Sequence, residues 1–125
     1  MPSDAETVIW NRAAMENGGA NPRPGDVALA SVLRLHGMVM SGGLDHACEV
    51  LDPDTVAAAV SGFRYLGADD VAELVEGVDA LLASGTDEEI EQANRRYDQL
   101  IPADSRLSDL AMARMREAPG DFAPV

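Results

Sequence analysis

Apolar residues recur along this chain in steps of three and four, the spacing of helices that bury one face. Ser3-Asp4-Ala5-Glu6 has the form of a capping box and predicts a first helix running to about Glu16, stopped by Gly18-Gly19. A loop rich in Gly, Pro and Asn follows to Gly25. A second helix is predicted from about Asp26 to Met40, with Leu29, Val32, Leu33, His36 and Met40 on one face, broken at Ser41-Gly42-Gly43. A short helix then turns Leu44, Ala47, Cys48 and Leu51 inward. Asp52-Pro53 pairs an N-cap with proline at the first helical position. The helix it opens presents Val56, Ala59, Val60 and Phe63 and ends at Gly67.

The fifth segment has the clearest period, in Val71, Leu74, Val75, Val78, Leu81 and Leu82, and closes at Gly85. Thr86-Asp87-Glu88-Glu89 is a second capping box. It opens a sixth helix that buries Ile90, Ala93, Tyr97 and Leu100 before Pro102. A last helix from about Ser105 carries Leu107, Leu110, Ala111 and Met115 to Pro119-Gly120, leaving a short tail. No two-residue alternation marks a strand. The expectation is an all-α fold, a single compact domain of about six to seven helices. Residues 1–25 supply an N-terminal helix and a Gly/Pro-rich loop, and residues 26–125 a helical domain with an acidic central stretch.

With 125 residues the chain is long enough for one core. Aromatics are few, namely Trp10, Phe63, Tyr65, Tyr97 and Phe122, so Ala, Val, Leu and Met must fill it by close helix packing. Uncharged stretches such as Thr55 to Phe63 fall well short of the roughly 20 residues a membrane span needs. The start of the chain has no basic segment followed by an apolar run, and Cys48 is the single cysteine, so cytoplasmic residence is expected.

Charge changes the picture most. The formal net charge is −13, and all nine basic residues are arginine. Without lysine there is no phosphate-loop lysine, no Schiff base and no Ser–Lys dyad. Direct nucleic-acid binding, which needs basic side chains to displace counterions, is disfavoured. Between Asp45 and Glu91 stand thirteen acidic residues against one arginine, Arg64, a net of −12. Asp69, Asp70, Glu73, Glu76 and Asp79 place five carboxylates along about 15 Å of one helix. Their density approaches the phosphate spacing of about 3.4 Å in one strand of duplex DNA, a likeness of density and not of position.

A second explanation competes. Asp52, Asp54, Asp69, Asp70, Asp87, Glu88 and Glu89 lie near helix starts, where capping and the helix dipole favour acids. Glu73, Glu76 and Asp79 lie further along and escape it.

Other chemistry is sparse. Asp45, His46 and Glu49 have the spacing of ligands on one helical face, but no second histidine motif supports a metal site, and none is expected. Cys48 and His46, two apart, do not face each other, and Cys48 falls on the apolar side as a buried thiol. His36 lies on an apolar face as a packed histidine. Arg95-Arg96, Arg114 and Arg116 are read as ion-pair partners, Glu91 and Arg95 at i,i+4 foremost. No catalytic residue and no cofactor are expected.

The segment Val39 to His46 around the glycine pair resembles part of the acidic bacterial DNA-mimic protein family, a domain family of largely unknown function. So do Ala57 to Val60, Tyr65 to Ala68, Val71 to Val75, Arg96 to Leu100, Leu107 to Leu110 and Ala118 to Phe122. The likeness spans roughly residues 30 to 123. Leu44, His46, Ala47 and Cys48 depart from it where the family carries aromatics and an amide.

The resemblance implies a non-enzymatic, all-α, self-associating protein whose acidic surface occupies the DNA-binding face of a basic partner such as a helix-turn-helix regulator. Its partner-binding residues here would be Asp69, Asp70, Glu73, Glu76 and Asp79, with Asp45 and Glu49. An immunity-type inhibitor of a basic toxin would use the same electrostatics. A helical structural module would spread its acids around the surface, and an enzyme or metal protein would need His36, His46, Cys48 and Glu49 to converge.

Overall fold

A computed structural model describes residues 3–125. Among them are seven α-helices: α1 (Asp4–Glu16), α2 (Pro24–Gly42), α3 (Leu44–Val50), α4 (Pro53–Tyr65), α5 (Asp69–Ser84), α6 (Asp87–Leu100) and α7 (Asp104–Glu117). A single 3-10 turn, Pro119–Asp121, follows, and the described residues form no strand. The all-α expectation holds.

The locally coded helix starts are where the residues place them. Ser3 accepts from the Glu6 backbone while Glu6 reaches back to the Ser3 N–H, and Thr86 and Glu89 do the same for α6. Asp52 accepts from the Thr55 N–H with Pro53 at the first position of α4. The start of α2 differs from expectation. Its first residue is Pro24, and Asp26 at the third position accepts the Arg23 N–H at 3.0 Å. Arginine is no capping residue, so the signal for this start lies in Pro24 at the first helical position and Asp26 at the third.

Helix α2 also continues through Ser41 and Gly42. The chain turns at Gly43, whose φ of +94° suits glycine. Met40 is exposed, and Leu35 and Val39 take the inward positions beside Leu29, Val32 and His36.

Helix α2 runs through the centre, with α1, α3 and α4 packed on it. Helix α4 also packs on α5, and α5 on α3 and α6. The core joins Leu29, Val32 and Leu35 of α2 to Phe63 of α4, Val71, Val75 and Val78 of α5, Tyr97 of α6 and Leu107 of α7. Leu74, Leu81, Leu82, Ile90, Leu100 and Leu110 are only half-buried. Among the described residues no single helix is long and apolar enough to cross a membrane.

Helix α1 meets α2 and α7 through Ile9 and Ala13, both in the core. Glu6 forms a two-pronged ion pair with Arg116 of α7, Oε2 to Nε at 2.8 Å and Oε1 to Nη2 at 3.1 Å. The hydrogen bonds from Arg116, helped by the Ser3 N–H, hold the Glu6 carboxyl at about 2, below its ordinary 4.5. A depressed carboxylate stabilises the fold above its unfolded value, and that contribution is lost as pH falls through the folded one. The α1–α7 contact should therefore loosen as pH drops from 4.5 toward about 2. Trp10, the only tryptophan, lines the α1–α7 groove with Met112 and Met115 and reports it. Acid titration of its fluorescence should show a step in that window that Glu6→Gln abolishes. Superimposable curves would contradict the assignment.

Candidate functional site

Helix α5 exists because Val71, Ala72, Val75 and Val78 form a continuous buried stripe against its neighbours. The side away from it must be polar, and there Asp69, Glu73 and Glu76 stand, with Asp79 at the edge of the stripe. Asp69, Glu73 and Glu76, at i, i+4 and i+7, form one exposed row, with Asp79 one turn beyond Glu76. Neighbours in such a row lie about 5–6 Å apart, within a Debye length of about 8 Å at physiological salt, so their fields add.

The row is not uniformly negative. Arg64 of α4, the sole arginine of the acidic stretch, reaches across to Glu76, with Nη2 to Oε1 at 3.1 Å. Its guanidinium is pushed above its ordinary value by the hydrogen bond and charge of Glu76, and further by Asp69 and Glu73. A groove of about 230 Å³ lies between α4 and α5, with Arg64, Glu76 and Asp79 on its walls and Val56, Val60 and Val75 among its apolar side chains. Asp70 turns away from the row, accepting from the Val71 N–H and lying 3.7 Å from Arg106 of α7.

Helix α3 packs beside α5, and Asp45 and Asp79 both bear on Cys48. Burial first, then these two carboxylates, pushes the buried thiol up to about 11. Asp45 is engaged structurally. Asn94 of α6 donates to its Oδ1 at 3.0 Å while accepting from the Leu44 and Asp45 N–H groups at 2.8 and 3.3 Å. Asn94 thus caps α3, whose N-cap residue Gly43 has no side chain to do so. Among the described residues, Glu49, Asp69, Glu73 and Asp79 are exposed and form no hydrogen bond or ion pair through their side chains.

Of the seven carboxylates singled out from sequence, the structure gathers five along α5 and sets α3, with Asp45 and Glu49, beside them. Asp45, Asp70 and Glu76 already have partners. Sequence reasoning missed Arg64 as the counter-charge and Asn94 as the cap. Their partners lie 12 and about 50 residues away, across helix pairings that no local spacing reveals. Several acids outside the row do cap helices as expected, Asp52 and Glu89 by direct hydrogen bonds. The hydrogen bonds from Thr55 lower the Asp52 carboxyl. Glu91 and Arg95 stand 3.8 Å apart at i,i+4, as their spacing predicts.

The side chains an enzyme would need do not converge. His36 is buried, with Nδ1 at 2.9 Å from the Tyr97 hydroxyl and Nε2 at 2.8 Å from Asp104. The carboxylate accepts, so Nε2 carries a proton, and the Tyr97 hydroxyl, which can donate or accept, serves Nδ1. Burial, then the charges of Asp98 and Asp104, pushes the Tyr97 phenol upward, which keeps its proton available. His46 is exposed, its ring folded against Gly42, where an added Cβ would lie 2.5 Å from the ring. Among the described residues no group of three His, Cys, Asp or Glu side chains could hold a metal ion. Both nitrogens of His36 serve packing, so Tyr97→Phe, which strands Nδ1, should cost about 1–3 kcal/mol in urea unfolding. An unchanged midpoint would rule that role out.

A family model described as DMP19-like protein matches residues 22–118. The chain belongs to the DMP19-like protein family. The match takes in α2 to α7 and every carboxylate of the acidic stretch, and leaves out α1 and the 3-10 turn. Compared with the resemblance read from the residues, it begins earlier and stops short of Asp121-Phe122. Neither the curated proteins nor the solved structures yield a match.

Proposed function

We propose that this DMP19-like protein is a non-enzymatic binding protein of the DNA-mimic type, acting in the cytoplasm. Its α5 row occupies the basic face with which a partner, such as a helix-turn-helix regulator, grips the phosphate backbone. The observation that carries this reading is the set of exposed, unpartnered carboxylates on α5, Asp69 and Glu73 away from its buried stripe and Asp79 at the stripe's edge beside the α4–α5 groove. Capping accounts for Asp52 and Glu89, but Glu73 and Asp79 lie beyond the first turn of α5 and cap nothing.

The binding residues on this reading are Asp69, Glu73 and Asp79, with Glu76 and Arg64 as an exchangeable pair and Glu49 on the neighbouring helix. Asp45 and Asp70 contribute field while holding local structure. Complementary charge of this kind speeds encounter and selects partners, and its strength falls with salt. The test is neutralisation of the three unpartnered carboxylates, Asp69→Asn, Glu73→Gln and Asp79→Asn together, read as partner affinity across salt concentration. Competition separates the two basic partners considered. Duplex DNA displaces the protein from a DNA-binding regulator, and fails to displace it from a toxin whose active face is not a DNA-binding one.

A further inference from the structure

The two segments that flank the family match are tied to each other. Residues 119–124 lie across the start of α2 as a strap. Phe122 is buried against Gly25, where an added Cβ would lie 2.7 Å from the phenyl ring and 2.8 Å from the Asp121 carbonyl oxygen. The Tyr65 hydroxyl donates to Asp121 at 2.7 Å, and the Tyr65 ring meets Phe122 edge-on. Arg23 donates to the Gly120 carbonyl at 3.2 Å.

At the centre is Asp26, a fully buried carboxylate that accepts from the Ala123 N–H at 2.7 Å and the Arg23 N–H at 3.0 Å. Arg12 of α1 completes the knot. It donates to Asp26 at 3.3 Å, to the Ala123 carbonyl at 2.8 Å and to the Pro124 carbonyl at 3.0 Å.

The two segments are anchored differently. The strap has anchors of its own on α2 and α4, in Gly25, Asp26 and Tyr65. Helix α1 has few. Ile9 and Ala13 are its only buried apolar residues, and a helix of 13 residues is marginal in water without tertiary support. Two of the three groups that hold Arg12 belong to the strap.

We propose that α1 is a latch held shut by the 119–124 strap. When the strap lifts, α1 leaves and melts while the α2–α7 core stays folded. Its departure uncovers an apolar strip formed by Ala30 and Leu33 of α2 and Met112 and Met115 of α7. Local opening of this kind is a sub-global event with its own free energy.

Hydrogen exchange by mass spectrometry, with Trp10 fluorescence, tests it on two variants. A chain ended at Ala118 should exchange its α1 amides at least about tenfold faster than the full chain and shift Trp10 emission to the red, with α4 and α5 protection unchanged. Full-chain protection of α1 in that variant would overturn the proposal. Arg12→Met in the full chain covers the case in which the shortened chain does not fold. It should speed exchange in α1 to a similar degree and leave the Ala123 amide protected by Asp26. Equal acceleration of α1, strap and core, or none in α1, would overturn the proposal as well.

Discussion

Gly62→Ala should destabilise the protein by about 1–3 kcal/mol, although in a solvent-facing helix the same change would stabilise by up to about 1 kcal/mol. The sign reverses because α2 and α4 touch through their backbones at this point. A Cβ at residue 62 would lie 2.5 Å from the Ala28 carbonyl oxygen and 2.9 Å from Cγ2 of Val32. A carbonyl inside a helix cannot swing aside as a flexible side chain can. Relief therefore requires the two helices to part, and that disturbs Leu29, Val32 and Phe63 at the centre of the core. Gly62→Val, which adds two further methyl groups at the same crossing, should cost more than Gly62→Ala, about 3 kcal/mol or above. Equilibrium unfolding in urea, followed by far-ultraviolet circular dichroism, reads both variants. A stabilised Gly62→Ala would show that the helices do not approach so closely. Because α4 carries Arg64 and braces α5, a shifted crossing also displaces the groove beside the acidic row.

The second large effect concerns binding. Each exposed carboxylate that meets a basic side chain across an interface contributes about 0.2–1 kcal/mol. Removing Asp69, Glu73 and Asp79 together should therefore weaken a charge-matched complex by about 3- to 150-fold at low salt. Glu76 behaves differently. Its charge is already met by Arg64, so Glu76→Gln removes one negative charge, as the other substitutions do, and also leaves the Arg64 cation without its partner beside the row. Arg64→Gln is the counterpart. It removes the internal competitor and should tighten binding of a basic partner. Opposite signs for these two variants at neighbouring atoms would separate a charge-driven interface from a general loss of fold.

What could be read from the residues alone follows the range of each interaction. The capping boxes at Ser3–Glu6 and Thr86–Glu89, and the Asp52-Pro53 start, are decided within four residues and were legible. So was the buried stripe of α5, because its apolar period persists over about three turns, and with it the exposure of the carboxylates outside it. The Met40 assignment failed because helix periodicity locates a face only as far as the neighbouring helices extend. At the end of α2 the core is reached by Leu35 and Val39 instead.

The Asp26 knot was invisible for another reason. Arg12, Arg23, Asp26 and Ala123 are ordinary residues in sequence, and their meaning arises only when two ends of the chain meet. The apparent short tail is a strap for the same reason. His36 was correctly expected to be packed, but its partners Tyr97 and Asp104 stand 61 and 68 residues away.

On the proposed function, the α5 row meets a basic partner through charge. The direct measurement takes the basic protein that immobilised wild-type protein retains from host extract at low salt and releases at high salt. Its affinity is then determined over a series of salt concentrations for the wild type and for the Asp69→Asn, Glu73→Gln, Asp79→Asn variant. A charge-driven interface on α5 predicts weaker binding of the variant at low salt, a flatter salt dependence, and convergence of the two at high salt. Equal affinities and equal slopes at low salt would contradict it and leave the row as a solvated helix face.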